Sequence, residues 1–282
     1  MQPTAAVPPK SALPPKYVIG SLGALGETIG SGLRWVPALR TAGVLVAGYT
    51  VVAAVLGALG LFLTKVLLLG SVGRWDRTAT SWLAEHRVGW LDQTSGLLSL
   101  SADTLGAIGL ATLVVVVLAC RRRWWQVAVL VIALALELSV FLLVNFVVDR
   151  PRPDVAKLGS TPSTSSFPSG HSAATVVLYG CVAVFVWLGS NRRFLRVIAL
   201  VAAVMLPAAV GSSRVYRGMH HPLDVLFGFG MGAAVVAVSI IAVSAGFGVP
   251  WRTADESQAS DDPAPTPPQQ TDLDTVLAIG PR

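Results

Sequence analysis

The stretch FPSGHSAATVVLYG, residues 167–180, has a polar beginning and an apolar continuation. Its later part is typical of a membrane helix, whereas Ser169, Gly170 and His171 stand at the mouth of that helix. The chain has four histidines, and three of them precede apolar runs of membrane length: His171, His220 and His221. This placement predicts polar chemistry at one end of a bundle of apolar helices.

The composition is that of a membrane protein. Hydrophobic residues make up 53% of the 282 residues, charged residues only 13%, and the mean hydropathy is +0.66. The length leaves room for about five or six spans at roughly 20 residues each. The formal net charge is +6, but the basic residues cluster between apolar runs. Membrane topology therefore explains them better than nucleic-acid binding does.

Apolar runs of near-membrane length divide the middle of the chain. They lie at residues 41–63, 97–119, 125–148, 171–189, 194–212 and 222–247. Helices are expected, because lipid leaves no other partner for the backbone polar groups. Residues 66–95 carry three tryptophans among charges and predict an interfacial segment. The predicted fold is all-α, a six-transmembrane-helix bundle with an interfacial segment between helices 1 and 2.

The predicted domain organisation is a membrane domain between two tails. Residues 1–40 are expected to form a flexible cytoplasmic tail, residues 41–247 the six-span domain, and residues 248–282 a disordered cytoplasmic tail. The compact basic loops RRR (121–123) and NRRFLR (191–196) indicate the cytoplasmic side. We therefore expect an integral plasma-membrane protein with both termini inside.

Three polar segments would then share the outer face. We name them the DRPRP segment (NFVVDRPRPD, 145–154), the PSGH segment (FPSGHS, 167–172) and the HHPLD segment (SRVYRGMHHPLD, 213–224). Asp103, near the start of the second run, is a further candidate for the same site. A helix exit and two helix entries would converge there if the helices bundle.

This combination suits a phosphate group. Helix N-termini present unpaired N–H groups and the positive end of the helix dipole. Ser169 is placed to cap the helix or to donate to an anion, and Gly170 allows close approach to the backbone. The guanidinium groups of Arg152 and Arg214 match phosphate oxygens.

The histidines supply the reactive groups. Asp224 follows His220 by four residues and can reach back to orient the imidazole, which leaves its other nitrogen free to attack. His171 comes from a different helix. It is placed to protonate a leaving oxygen and then to activate water.

These motifs resemble those of the type 2 phosphatidic acid phosphatase family, whose relatives include the vanadium haloperoxidases. The resemblance rests on PSGH at 168–171, SR-x5-H-x3-D at 213–224 and DRPRP at 149–153, and covers about residues 40–247. It implies that His220 becomes a phosphohistidine, that Asp224 orients it and that His171 is the general acid and base. It also implies a phosphate site made of Arg152, Ser169, Gly170 and Arg214. The family's catalysis needs no metal and no cofactor.

One residue departs from the family pattern. The first motif is K-x6-R-P, and counting back from Arg152 places Asn145 where the lysine is expected. Losing a hydrogen bond to a charged group would cost about 1.5–3 kcal/mol, unless Arg150 or Arg217 compensates. Asn145 is therefore a doubtful member of the phosphate site.

The predicted function is metal-independent hydrolysis of a lipid phosphate or diphosphate at the outer leaflet. A polyprenyl diphosphate carrier is the leading substrate, with phosphatidic acid and phosphatidylglycerol phosphate as rivals. Two alternatives stay open at this point: a lipid phosphotransferase, and a non-catalytic lipid-phosphate binder or transporter that kept the fold. The partner is in each case a membrane lipid, and nothing indicates the oligomeric state.

Overall fold

The computed structural model describes residues 16–101, 103–159 and 164–247, and the regular secondary structure in this part is entirely helical. A short 3₁₀ turn at Leu67–Leu69 accompanies eight α-helices. These are α1 (Lys16–Lys65), α2 (Ser71–Glu85), α3 (Gly89–Ser101), α4 (Thr104–Cys120), α5 (Trp124–Val148), α6 (Gly170–Gly189), α7 (Arg193–Tyr216) and α8 (Pro222–Phe247). The prediction of an all-α fold is confirmed.

Among the described residues, five stretches are long and apolar enough to cross a membrane. They are Pro37–Leu69 in and after α1, and the whole of α5, α6, α7 and α8. The second apolar run, 97–119, is not one continuous span as expected, because it is divided between α3 and α4. Its apolar part, Leu105–Cys120, is shorter than the roughly 20 residues that span the hydrocarbon. The count of six membrane helices is therefore not established.

The break in the second run lies at Asp103. The carbonyl of Asp103 accepts a hydrogen bond from Ala107 N at 2.8 Å, so the chain restarts a helix there. Aspartate and serine side chains compete for backbone hydrogen bonds and favour helix starts over helix interiors. The hydropathy of the sequence did not reveal this second helix start, because the chain is apolar on both sides of the break.

The N-terminal boundary also differs from the expectation. Helix α1 begins at Lys16, so residues 16–40 are helical where the sequence suggested a flexible tail. The segment from 16 to 36 contains no proline, whereas prolines occupy positions 14 and 15. Residues 1–15 and the expected C-terminal tail from 248 onward lie outside the described residues, and the division into domains stays a prediction.

The core of the bundle is formed by α1, α5, α6 and α8, and close packing of α8 on α6 fixes the position of the PSGH segment. A Cβ added at Gly228 would come within 2.5 Å of the carbonyl oxygen of Ser169, and one at Gly232 within 2.6 Å of that of Ala173. Small residues let helix backbones approach in this way. Gly228 and Gly232 therefore act as packing sites between α8 and α6.

The segment between α1 and α4 covers the ends of α7 and α8. Helix α2 buries Gly73, Asp76 and Thr80 while it exposes Trp75 and Trp82. This two-sided pattern agrees with the interfacial helix that was predicted for residues 66–95, although the segment continues into a second helix, α3. The buried face of α2 carries a carboxylate into the end of the bundle.

Candidate active site

The three polar segments meet at one end of the bundle, which we call the histidine end. It comprises the C-termini of α5 and α7 and the N-termini of α6 and α8. Ser166 N donates to the carbonyl of Arg150 at 2.8 Å, and Ser169 N donates to the carbonyl of Asp224 at 2.9 Å. These backbone bonds join the segments directly, so their predicted convergence is confirmed.

The imidazole of His220 is buried and held by a backbone carbonyl. Its Nδ1 lies 2.8 Å from the carbonyl oxygen of Ser166 and 3.8 Å from Oδ2 of Asp224. Because a carbonyl only accepts, Nδ1 carries the proton and Nε2 keeps its lone pair. The immediate orienting partner is thus Ser166 rather than the Asp224 carboxylate that the sequence indicated.

The Asp224 carboxylate acts on the His220 imidazole mainly through Ser166. Its Oδ2 accepts from Ser166 Oγ and from His221 N, each at 2.8 Å, and its Oδ1 forms an ion pair with Arg150. As the third residue of α8 it caps that helix by reaching back to a free N–H. Asp224 therefore fixes the loop whose carbonyl holds His220.

A buried ion-pair network underlies the histidine end. Arg150 pairs with both Asp76 and Asp224, and all three side chains are at most 2% exposed. The second carboxylate oxygen of Asp76 accepts from Leu223 N at 3.0 Å, at the start of α8. Such networks are costly to break, because removing one partner leaves an uncompensated buried charge.

His171 is the second residue of α6 and its ring faces charged neighbours. Its Nε2 lies 3.5 Å from Oδ1 of Asp103, which places that carboxylate at the site as suggested from the sequence. Arg214 and His220 both interact electrostatically with it. The Nε2 atom is buried and has no hydrogen-bond partner within the described part of the chain.

The guanidinium of Arg214 has an N–H donor that is unpaired among the described residues. Its Nη1 donates to Ser99 Oγ at 2.7 Å, while its buried Nε has no partner among the described residues. Buried donors are nearly always paired, and an unpaired one in a polar cluster indicates a ligand position.

The second phosphate candidate, Arg152, is anchored on loop carbonyls. It donates to Met219 O at 2.8 Å and Thr164 O at 3.1 Å. Burial lowers the pKa of its guanidinium, and the negative charge of Asp224 opposes that effect. The predicted arginines therefore lie at the same end as the histidines.

Ser169 and Gly170 have structural duties at this end. Ser169 is the N-cap of α6, and its buried Oγ accepts from Ser172 N at 3.4 Å and from Ser172 Oγ at 2.9 Å. A Cβ at Gly170 would lie 3.1 Å from the ring of Phe141. Capping and close packing account for both residues, and their contact with phosphate stays a prediction.

The side chain of Asn145 bonds to the loop that contains Ser166. Its Nδ2 donates to the carbonyls of Ser165 at 2.8 Å and Phe167 at 3.3 Å. It therefore brackets Ser166, whose carbonyl holds His220. Instead of the expected lysine charge, this position provides a clamp on the loop.

The two arginines considered as replacements for that charge are already engaged. Arg150 is held in the ion-pair network. Arg217 donates to the carbonyl of Leu158 and, at 3.4 Å, to the carbonyl of Asp92 and the hydroxyl of Ser95. The Nε of Arg217 is buried without a partner among the described residues, and compensation for the missing lysine charge by either arginine stays a prediction.

Comparison with known proteins places this chain in a family. Residues 124–246 match the PAP2 superfamily. Phosphatidylglycerophosphatase B of Bacillus subtilis (strain 168) is 32% identical over 181 residues, which cover 61% of this chain and 85% of that protein. The chain belongs to the PAP2 superfamily. Both the resemblance noted from the motifs and the prediction of a phosphoric ester hydrolase are confirmed.

Other similar proteins are also named as phosphatases. Decaprenylphosphoryl-5-phosphoribose phosphatase of Mycobacterium tuberculosis (strain H37Rv) is 34% identical over 155 residues, or 54% of this chain and 80% of that protein. Undecaprenyl-diphosphatase of Sulfolobus acidocaldarius is 33% identical over 85 residues, or 30% of this chain and 37% of that protein. A crystal structure of a transmembrane PAP2 phosphatidylglycerolphosphate phosphatase from Bacillus subtilis shares the fold, with a TM-score of 0.54 and 23% identity. That match covers 77% of this chain and all of the other. The prediction of an integral membrane protein is confirmed.

Sequence reasoning missed two site residues of this PAP2 chain, Ser166 and Asp76. Ser166 precedes the PSGH motif. Its hydroxyl donates to the Asp224 carboxylate, and its carbonyl accepts from His220 Nδ1. Asp76 lies on the buried face of α2, four residues before the buried Thr80. A carboxylate on the apolar stripe of an amphipathic helix was the signal available in the sequence.

The pKa of His220 suits a nucleophile. Burial lowers it below the ordinary imidazole value, the nearby Asp224 raises it in part, and the charges of Arg152 and Arg214 lower it further. Burial likewise lowers the pKa of His221, whose Nδ1 is 3.7 Å from Asp76. Both rings are therefore neutral at pH 7. No group of three or more metal-binding side chains occurs within the described ranges.

Proposed function

We propose that the chain hydrolyses a phosphate monoester on a lipid-linked headgroup through a phosphohistidine at His220. The observation that carries the proposal is the neutral, oriented imidazole of His220 at the same end as Arg214 and His171. The Nε of Arg214 has no partner among the described residues, and Nε2 of His171 lies 3.5 Å from the Asp103 carboxylate. This arrangement combines a nucleophile, an anion donor and a proton carrier.

Each group has a role in a two-step displacement. In the first step Nε2 of His220 bonds to phosphorus and the bond to the lipid alcohol breaks, while protonated His171 gives its proton to the leaving oxygen. In the second step His171 takes a proton from water, the water oxygen bonds to phosphorus, and the nitrogen–phosphorus bond breaks. Arg214 and Arg152 stabilise the charge on the phosphoryl oxygens. Family resemblance supports these roles and implies that no metal takes part.

The substrate class follows from the relatives with the greatest coverage. The proteins from Bacillus subtilis and Mycobacterium tuberculosis are named for substrates that carry a phosphate on a lipid-linked headgroup. The undecaprenyl-diphosphatase match covers a much smaller part of that protein. A lipid-linked phosphate monoester is therefore the first candidate, and the polyprenyl diphosphate expected from the sequence is the second.

Phosphate release from purified full-length protein tests this function. The panel would contain phosphatidylglycerophosphate, phosphatidic acid, a prenyl-linked sugar phosphate and undecaprenyl diphosphate, each with a chelator present. We expect release from at least one monoester and an acid-labile phosphoenzyme, both absent in His220→Ala. Release that persists in His220→Ala would exclude the proposed nucleophile.

Two outcomes would favour the alternatives. Transfer of phosphate to an added lipid or sugar acceptor in place of water would identify a phosphotransferase. Binding of a lipid phosphate without release would identify a non-catalytic binder.

We also propose that the histidine end faces outward. The arginine clusters at 121–123 and 192–196 lie at the opposite end of the bundle, which the positive-inside tendency assigns to the cytoplasm. Lys157→Cys in a background without Cys120 and Cys181 would react with an impermeant maleimide in intact cells. Labelling only after lysis would reverse the orientation.

A further inference from the structure

A groove lies at the opposite end of the bundle from the histidines, which we call the arginine end. Its volume is about 430 Å³, within the range of small-molecule sites. Apolar side chains of α4 and α6 form its walls, including Val114, Val117, Val182 and Phe185. Such a surface accommodates a hydrocarbon chain and has few hydrogen-bonding groups for a fully polar ligand.

The groove is separate from the active site. Gln126 lines it near the start of α5, whereas Asn145 lies at the histidine end of the same helix. A separation of 19 residues corresponds to about 28 Å at 1.5 Å per residue. One headgroup cannot occupy both positions, so a ligand here is not a substrate in its reactive pose.

Two cations lie at the mouth of the groove. Arg121 and Arg123 both line it, and neither guanidinium forms a hydrogen bond or ion pair within the described part of the chain. Gly189 makes room for one of them, since a Cβ there would lie 3.0 Å from Arg123 Nη1. The groove therefore combines an apolar wall with an uncompensated positive mouth.

A buried polar side chain lies between the cations and the apolar wall. Gln126 is only 7% exposed, and its Oε1 has no hydrogen-bond partner among the residues described. An unpaired buried amide is costly unless a ligand or water satisfies it. The glycerol and ester region of a phospholipid offers partners at this depth, between its phosphate and its acyl chains.

We propose that this groove binds one anionic phospholipid, with its headgroup at Arg121 and Arg123 and an acyl chain along the wall of α4 and α6. Charge complementarity selects the occupant, because a net negative headgroup meets two unpaired guanidinium groups. Basic pockets between membrane helices recur as sites for acidic lipid headgroups. The bound lipid joins α4 to α6, in the leaflet opposite to that of the active site.

Native mass spectrometry of the full-length protein tests the site with two probes, phosphatidylglycerol and phosphatidylcholine. The test variant is Arg121→Gln with Arg123→Gln. The matched control is Arg192→Gln with Arg193→Gln, which removes the same charge from exposed positions that do not line the groove. We expect wild type and control to retain one phosphatidylglycerol in preference to phosphatidylcholine. The test variant should lose that preference by about tenfold or more, at roughly 1 kcal/mol per arginine.

A second variant keeps the charges and fills the groove. Val117→Trp changes a side chain that is 44% exposed, so folding should tolerate it, and we expect it to retain no bound lipid. Equal retention of the two lipids by wild type would overturn the proposal. So would phosphatidylglycerol retention by both groove variants at the level of the control.

Discussion

The Nδ1 atom of His220 lies 2.8 Å from the carbonyl oxygen of Ser166, a residue 54 positions earlier in the chain. The tautomer of the proposed nucleophile is thus set by the backbone of a loop. The carboxylate of Asp224 reaches the imidazole only at 3.8 Å, but it holds the same loop through the hydroxyl of Ser166. Loop position and imidazole orientation are therefore linked.

This linkage predicts a graded effect at Ser166. Ser166→Ala removes the hydroxyl bonded to Asp224 and keeps the carbonyl that holds His220. We expect kcat to fall by about tenfold, because a hydrogen bond to a charged group is worth about 1.5–3 kcal/mol and the backbone contact remains. His220→Ala should show no turnover in the same assay. A complete loss in Ser166→Ala would contradict the backbone role.

The clamp at Asn145 predicts different results for two substitutions. Asn145→Leu has a similar size but no donor for the carbonyls of Ser165 and Phe167. It should lower kcat by about tenfold, since about 1.4 kcal/mol corresponds to a factor of ten. Asn145→Lys keeps donor hydrogens and should retain more activity than the leucine variant. Equal turnover in both variants would show that the clamp has no effect on the site.

The ion-pair network predicts a large loss of stability at Asp76. Asp76→Asn leaves Arg150 with one carboxylate in a buried setting, and breaking such a pair costs about 3–5 kcal/mol. Glu85→Gln removes one negative charge from the exposed end of the same helix and is the matched control. Thermal melts in detergent should show a lower Tm for the first variant only. Equal melts would argue against an energetic role for the network.

Close packing of α8 on α6 predicts opposite results for two neighbouring glycines. A Cβ at Gly228 would meet the carbonyl of Ser169 at 2.5 Å, whereas one at Gly230 would have nothing within 4 Å. Gly228→Ala should lower Tm and activity by forcing the helices apart at the PSGH segment. Gly230→Ala should be neutral or stabilising, because alanine is favoured over glycine in helices by about 1 kcal/mol.

The lowered pKa of His220 predicts the acid limb of the pH profile. The neutral imidazole is the nucleophile, so activity is lost as pH falls through its pKa. Because burial places that pKa below the ordinary value of about 6.5, the acid limb of kcat/KM should be centred below pH 6.5. An acid limb centred at or above pH 6.5 would contradict a buried, neutral His220.

The same shift affects stability with a definite sign. Below pH 6.5 the unfolded chain takes up protons at His220 and His221 that the folded chain does not. Stability therefore declines as pH falls below about 6.5 and is unaffected by these groups above it. Thermal melts across this range would detect the slope, and a flat profile would exclude it.

The order of the motifs and the apolar runs was sufficient to predict much of this protein. Hydropathy is a local property, so the helices later seen as α5, α6, α7 and α8 were found within a few residues of their ends. The PSGH and HHPLD segments lie at helix entries, which placed His171 and His220 at one end. The same local signal failed at Asp103, where a helix restarts inside an apolar run.

The sequence by itself determined a helical membrane protein, its PAP2 motifs and the residues that could react. Only the tertiary structure decided which groups those residues contact. The carbonyl of Ser166 holds His220, Asp76 on α2 pairs with Arg150, which lies 74 residues further along the chain, and Asn145 clamps a loop where a lysine was expected. Contacts between residues so far apart depend on how whole helices pack, and no local pattern of residues contains that information.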